Sequence, residues 1–384
     1  MKITFITNFI NHHQVYWSDE LFKIIGDNFS FIETMPIPEW LLKSGYPTLN
    51  RSYVLKAYQS NSLKEKALKL SYTADVVIIG SAPEEYVIKR IEAGKMTFRY
   101  NERWFKNRPW YKSGPRAWWH FYMHHIRFKN KPLYMLAASA YTANDVYAIG
   151  AYKNKVFKWG YFTKVDADFN VEQQKSGTST FKNISLMWCA RFLKWKHPEL
   201  PVLLAKRLKD EGYKFTIDMY GSGEEFDNIQ KMVADLRVED VVKLRGNLPN
   251  EQILQQMKQH EIFLFTSDRN EGWGAVLNEA MSSGCAVVAS NRIGSTPFLV
   301  KDGENGLIFE SENMYSFYSQ VKKILDDSTL RVKLSINAVY TMQQVWSPHN
   351  AAKQLLQLIH ALQNNDETSI PLSGPCSRAF PYNS

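Results

Sequence analysis

The stretch FLFTSDRNEGWGAVLNEAMSSG, residues 263–284, decides how the rest of this chain is read. Ile262, Phe263, Leu264 and Phe265 form an apolar run with the pattern of a buried strand. It stops at the polar turn Thr266-Ser267-Asp268-Arg269-Asn270, and two glycines, Gly272 and Gly274, then flank Trp273. A helix-forming sequence follows. The glycines leave the backbone bare enough for a ligand to approach, and the helix would turn its unpaired N–H groups into the same space, which suits a phosphate. Glu271 before the turn and Glu279 within the helix bracket this device, with seven residues between them. The spacing of the acids alone leaves two readings open, since any parallel α/β protein can carry solvated glutamates at a helix start. The longer string is more specific, because it also fixes the small-residue run Ala280-Met281-Ser282-Ser283-Gly284 and the next apolar strand, 286–289.

That string, E-G-W-G-A-V-L-N-E-A-M-S-S-G-C-A-V-V-A-S, resembles the E-x7-E signature of the family 4 retaining glycosyltransferases. The resemblance implies the GT-B fold, an α/β architecture of two Rossmann-like doubly wound domains facing a central cleft, with a C-terminal helix crossing back to the first domain. It also implies roles. Glu279 would bind the ribose hydroxyls of a nucleotide diphosphate sugar and Glu271 the hydroxyls of the transferred sugar. The backbone of Gly272, Trp273, Gly274, Ala275 and Val276 would meet the sugar and phosphate, with Ala275 smaller than the apolar residue common there. Residues 190–196 resemble the family's G-R-L-x-x-x-K segment, with Ala190 for the usual glycine, so Arg191 and Lys196 would hold the departing diphosphate. Fixed cations can offset the charge growing on that leaving group, so no metal and no other cofactor is expected. Gly221 and Gly223 match the family's glycine turn beside the nucleotide, and the turn from Arg245 to Leu248 lies where relatives hold the base, largely through backbone groups. Gly294-Ser295-Thr296-Pro297-Phe298 stands in place of a G-G-x-x-E turn and departs from it at Ser295 and Phe298. Residues 302–306 fit the D-G-x-x-G hairpin.

A chain of 384 residues suggests two domains of ordinary size. These are expected at 1–168, completed by a terminal helix at 347–364 with Ser347 as cap and Pro348 at its first position, and at 182–346. A polar, proline-containing tail at 365–384 is expected to fray. Three cysteines without paired or metal-type spacing argue for a reducing, cytoplasmic setting. The first ten residues read as a strand rather than a signal peptide, and no apolar stretch has the length of a membrane span.

The net charge of +9 is concentrated: residues 89–131 hold twelve Lys/Arg against Glu92 and Glu102, and the remainder is close to neutral. Trp104, Phe105, Trp110, Tyr111, Trp118, Trp119, Phe121 and Tyr122 share that segment. Three readings of it stand: a nucleic-acid surface, an anionic membrane surface with rings at headgroup level, and a helical pair whose aromatics are partly core. The membrane surface is preferred, on the inner face, because a transferase building on a lipid-linked acceptor works at the bilayer; nucleic acid is not expected. His12 and His13 sit in the loop after the first strand, where an open α/β sheet faces its ligand, and are candidate acceptor contacts or a solvated turn. Asn101 and Glu102 stand at the end of a central strand where many relatives carry a histidine. Glu102 could orient a hydroxyl or act as base toward the acceptor, or pair with Arg99 or Arg103. Asp166-Ala167-Asp168 is read as linker rather than as a metal-binding D-x-D. The resulting expectation is a retaining hexosyltransferase acting on a saccharide or lipid-linked acceptor in cell-surface polysaccharide synthesis. A sugar-nucleotide 2-epimerase on the same fold and a non-catalytic basic nucleotide- or polymer-binding protein are the alternatives.

Overall fold

The computed structural model describes residues 1–43, 48–106, 113–171 and 183–382. The chain divides into two compact units, Met1–Thr163 with Trp346–Asn383, and Lys164–Val345. In the first, seven strands form one parallel sheet: β1 (Ile3–Thr7), β2 (Phe29–Glu33), β3 (Val54–Lys56), β4 (Val76–Ile79), β5 (Thr97–Asn101), β6 (Leu133–Ala137) and β7 (Val156–Lys158). Their order is β3-β2-β1-β4-β5-β6-β7, with Ile3 aligned to Phe29 on one side and to Val76 on the other. The runs ITFIT and VVII are buried throughout, as expected of central parallel strands covered on both faces.

The second unit holds β8 (Ile184–Cys189), β9 (Phe215–Tyr220), β10 (Val242–Gly246), β11 (Ile262–Phe265), β12 (Ala286–Ser290) and β13 (Leu307–Phe309), again all parallel, in the order β10-β9-β8-β11-β12-β13. Each sheet therefore reverses its strand order beside its own first strand, between β1 and β4 and between β8 and β11. Open α/β sheets bind ligands outside the carboxyl ends of the strands at such a reversal.

The helix Pro348–Gln363 belongs to the first unit and packs on the helix Val15–Ile25. Its cap is Ser347, whose side chain accepts from the Asn350 N–H. The described residues after it, 364–382, pack against the first unit rather than fray. Ile370, Cys376 and Ala379 are buried, and 376–379 run antiparallel beside β7, with the Lys158 N–H donating to the Ser377 carbonyl at 2.7 Å and the Ala379 N–H to that of Val156 at 2.9 Å. A polar, proline-containing composition suggested a loose tail, but β7 is an edge strand and its open ladder is what this segment covers. Between β4 and β5 the chain forms a 3-10 turn, Glu84–Tyr86, and a short helix, Ile88–Glu92. Among the described residues no helix is long and apolar enough to cross a membrane.

Candidate active site

In the second unit, the loops leaving β8 and β11 are stitched together by backbone and side chain. The Trp188 indole donates to Thr266 Oγ1 at 2.8 Å, Thr266 in turn donates to the Lys196 carbonyl at 2.7 Å, and the Asp268 N–H reaches the Trp195 carbonyl at 3.0 Å. These bonds bring Lys196 Nζ into direct contact with Glu271 Oε2, with both side chains about one-tenth exposed. Ser267 donates to the same carboxylate oxygen at 3.1 Å. An ion pair so nearly buried costs desolvation on both sides, and removing one partner strands the other, at about 3–5 kcal/mol. Two of the four side chains expected at the donor site therefore meet directly.

Gly274 sits at φ +85, and a Cβ there would lie 2.4 Å from the Phe265 ring and 3.1 Å from Glu271 Cγ. Its bareness is what lets the turn fold back over β11. Among the described residues, no carbonyl or side chain accepts from the N–H groups of Gly274, Ala275 or Val276. They lead into the helix Val276–Ser282, where the Leu277 N–H already bonds the Gly274 carbonyl at 3.0 Å and the Glu279 N–H that of Ala275 at 3.2 Å. The Trp273 indole is buried and donates to Asn278 Oδ1 at 2.9 Å, so its side chain ties the turn to the helix. Glu279 accepts from the Asn250 amide at 3.0 Å; burial pushes its carboxyl up to about 7, with that hydrogen bond pulling the other way. Cys189 feels both sides of the site: burial, with Glu279 adding and Lys196 opposing, takes its thiol up to about 12. Arg191 is exposed on the same loop as Lys196 and has no carboxylate partner among the described residues.

The glycine turn packs against the loop that follows β8. A Cβ on Gly221 would fall 1.9 Å from the Ala190 carbonyl oxygen, and one on Gly223 2.4 Å from that of Phe192. The missing side chains make room for the arginine-bearing loop. Arg245 is drawn to Asp218 at 2.9 Å, while Asn247 bonds Ser222 Oγ at 2.7 Å and so holds the turn that carries Leu248 against the glycine turn. The Asp166–Asp168 stretch forms a turn whose carbonyls accept from Gln343, with Lys258 3.6 Å from Asp166.

The first unit has its own cavity, about 400 Å³, at the carboxyl ends of β1, β4, β5 and β6. Asn101 and Glu102 line it as expected. Glu102 accepts from the Tyr161 hydroxyl at 2.6 Å and pairs with Lys106 at 2.6 Å, not with Arg99 or Arg103. Arg99 is committed to Glu84 at 2.7 Å and Arg103 to Asp145 at 3.5 Å. His12 and His13 do not line the cavity; Asn8, Asn11 and Gln14 from the same loop do. The two imidazoles contact each other, and His13 stacks on Tyr161 at 4.7 Å, behind Glu102. Burial lowers the pKa of both, and His12 lowers that of His13 further. Sequence reasoning missed Asp145. Its carboxylate, buried within the helix Thr142–Ala148, accepts from the Trp104 and Phe105 N–H groups at 2.7 and 2.9 Å and fixes the chain just past Glu102. No local spacing announces a contact across forty residues. Tyr161, Ser81 and Lys106 were reachable only through the rule that strand carboxyl ends face the ligand.

The basic segment is not one exposed patch. Arg90 is buried and donates to the carbonyls of Ala74, Asp75 and Met96, while Arg99 and Arg103 pair with Glu84 and Asp145 and Lys106 and Arg127 pair with Glu102 and Glu92. Among the aromatics, Trp104 stacks on Phe121 at 5.5 Å and Phe105 meets the same ring edge-on, so Phe105 and Phe121 are core and the half-buried Trp104 packs on them. Trp119 and Tyr122, on the helix Pro115–His124, are 66% and 51% exposed. Arg108, Trp110, Tyr111 and Lys112 lie outside the described residues.

Residues 168–339 match the family model described as Glycosyl transferases group 1. The chain is 30% identical to the UDP-N-acetylglucosamine–peptide N-acetylglucosaminyltransferase GtfA subunit of Streptococcus pneumoniae over 132 residues, 34% of this chain and 25% of the relative. It is 27% identical over 190 residues, half of each protein, to the N-acetylgalactosamine-N,N'-diacetylbacillosaminyl-diphospho-undecaprenol 4-alpha-N-acetylgalactosaminyltransferase of Campylobacter jejuni. The matched stretch thus spans a quarter to a half of these curated relatives. Among solved structures, HepE of Anabaena in complex with UDP is similar over 94% of this chain and 100% of its own, with a TM-score of 0.67 at 14% identity, a likeness of fold.

Proposed function

Because this chain has the GT-B fold and its second unit carries a group 1 glycosyltransferase domain, we propose that it moves a hexose from a nucleotide diphosphate sugar to a saccharide or lipid-linked acceptor, with retention at the anomeric carbon. The observation that carries this reading is the Lys196–Glu271 pair beside the unpaired N–H groups of Gly274, Ala275 and Val276 at the strand-order reversal of the second sheet. The donor's diphosphate takes Lys196 and the neighbouring Arg191, which frees Glu271 to accept from the hexose hydroxyls. Glu279 accepts from the ribose. Two fixed cations and preorganised N–H donors in a cleft poor in water supply the charge stabilisation the leaving group needs without a divalent metal. UDP is the proposed nucleotide, supported by the names of the relatives above. The amide- and hydroxyl-lined cavity around Glu102 is the proposed acceptor site, and cell-surface polysaccharide synthesis the proposed setting. Trp119 and Tyr122, with exposed Arg116 one turn earlier on the helix, are the described residues of the basic segment that we propose meet an anionic membrane surface.

Incubation of the purified chain with a panel of UDP-sugars and saccharide acceptors tests the assignment by UDP release and by the anomeric configuration of the product. Transfer with retention is expected, unchanged by a chelator. Release of a free 2-epimer without acceptor, or an inverted product, overturns it. Trp119→Ala with Arg116→Glu is expected to reduce sedimentation with phosphatidylglycerol vesicles; unchanged binding removes the membrane contact.

A further inference from the structure

We propose that His197 is a positioning residue of the donor site: it braces the loop after β8 against the loop after β11 and thereby fixes the Lys196–Glu271 pair. The inference rests on the donor-site reading above.

The backbone at His197 has φ +52 and ψ +54, the left-handed region. A residue with a Cβ is held there at a cost of about 1–2 kcal/mol, which glycine would avoid. The side chain explains why a larger residue is kept. It is only 13% exposed and reaches carboxylates from three different elements. Nδ1 lies 2.7 Å from Glu199, in the first turn of the helix Glu199–Asp210, and Nε2 lies 3.8 Å from Asp268, after β11, and 3.8 Å from Glu312, after β13. The cations nearest in sequence are Lys194 and Lys196, and Lys196 is turned away to Glu271. A neutral residue would remove the charge that Glu199 and Asp268 share, while Glu312, which is largely exposed, lies in a cavity also lined by Arg269 and Arg292. The Asp268 carboxylate 3.8 Å from Nε2 and the Glu199 carboxylate bonded to Nδ1 take the imidazole up to about 9, so it is charged at neutral pH.

Asp268 is the lever through which this charge acts. Its N–H is bonded to the Trp195 carbonyl at 3.0 Å, its carbonyl accepts from the Glu271 N–H at 3.1 Å, and its carboxylate takes the Asn270 N–H at 2.7 Å. The turn that presents Glu271 therefore begins at a residue held from the other loop by Trp195 and by His197. Loss of the imidazolium would let Asp268 turn outward and open the angle at which Glu271 meets Lys196.

The test compares His197→Gly and His197→Asn with the parental chain, using a UDP-sugar donor. Glycine relieves the backbone strain, so the melting temperature of His197→Gly is expected to stay close to the parental value. Its kcat is expected to fall by roughly ten- to a hundredfold, the scale of a misplaced binding group. Asparagine tolerates the left-handed conformation and can still bond Glu199 but carries no charge, so it should fall between. Parental kcat/KM should decline as pH rises through about 9, and His197→Gly should lack that limb. Parental kcat and pH profile in both variants would sink the brace. So would a kcat loss that merely tracks a lower melting temperature. A parental chain that neither binds UDP nor turns over any UDP-sugar overturns the donor-site reading and the brace together, whereas an active parent with silent variants overturns the brace alone.

Discussion

The two units place polar groups at the same point of the same topology, yet build them by opposite means. In the second unit the geometry is dictated by backbone: Gly221 and Gly223 admit the carbonyls of Ala190 and Phe192, Gly274 admits Phe265 and Glu271, and the cation and the acid meet because their loops are bonded main chain to main chain. In the first unit the cavity is assembled from side chains brought from distant positions, with Glu102 held by Tyr161 and Lys106 and its loop held by Asp145. A backbone-built site tolerates few substitutions, since the Cβ position of each of these glycines is filled by atoms from another segment of the same chain. A site built from side chains can change its ligand without changing its fold.

The sharpest way to break this contrast is at Glu271. Glu271→Gln keeps the shape of the side chain and removes its charge beside Lys196, so kcat is expected to fall by about 10³-fold, and the melting temperature to fall with it because the nearly buried Lys196 loses its ion-pair partner. Transfer at near-parental rates would mean that the pair is structural only. The next largest effect is expected on stability. In Gly221→Ala the new Cβ would have to displace the Ala190 carbonyl 1.9 Å away at φ +133, a loss of about 3 kcal/mol or more, roughly 150-fold in the folding equilibrium. Gly150→Ala in the first unit is the control: its φ is +76 but nothing lies within 4 Å of the Cβ position, so only the local strain of about 1 kcal/mol applies. Equal denaturation midpoints for the two variants would remove the distinction between the units.

The same contrast governs what could be read in the sequence. The E-x7-E stretch was legible because its physics is local: a buried run, a turn with glycines at fixed offsets and acids at fixed spacing leave a printed pattern, and β11, β12 and the terminal helix with its Ser347 cap appear where expected. The cavity of the first unit was legible only to the strand end, at Asn101 and Glu102. Which partner holds Glu102 depends on Tyr161, far along the chain, and nothing near Asp145 signals that it closes the loop at Trp104. His12 and His13 lie off the cavity for a related reason. The loop was correctly placed at the carboxyl edge of the sheet, but which of its side chains turn toward the cavity is set by packing on Tyr161, not by the loop sequence. Net charge misled where arginines served as interior hydrogen-bond hubs, as Arg90 does with three carbonyls.

Glu102 tests whether the two sites act separately. Glu102→Gln retains an acceptor for the Tyr161 hydroxyl but loses the ion pair with Lys106, and the KM for a saccharide acceptor is expected to rise about tenfold. UDP affinity and slow hydrolysis of the donor should not change. Initial rates at varied acceptor and at varied donor separate the two, and a donor KM that moves as far as the acceptor KM would mean the sites are not independent.

The smallest expected effect lies at Glu279, and it is a matter of sign. Burial holds this carboxyl at about 7 in the free chain, above its ordinary value of 4.5, so near pH 6 it is mostly protonated. A group whose pKa is raised by folding stabilises the fold fully only below its unfolded value, and that contribution is lost as pH rises through about 7. Ribose hydroxyls, by contrast, are best accepted by the ionised form. Donor binding should then release a proton below pH 7, and affinity for a UDP-sugar should improve by up to about tenfold per pH unit until it levels above 7. Stability and donor affinity are thus expected to run in opposite directions between pH 5 and 7, which few unrelated groups could mimic. Titration calorimetry of the parental chain and of Glu279→Gln in buffers of different ionisation enthalpy measures the released proton directly. If both proteins release the same number, the carboxyl does not meet the nucleotide, and the acid inside the helix Val276–Ser282 is held there by Asn250 alone.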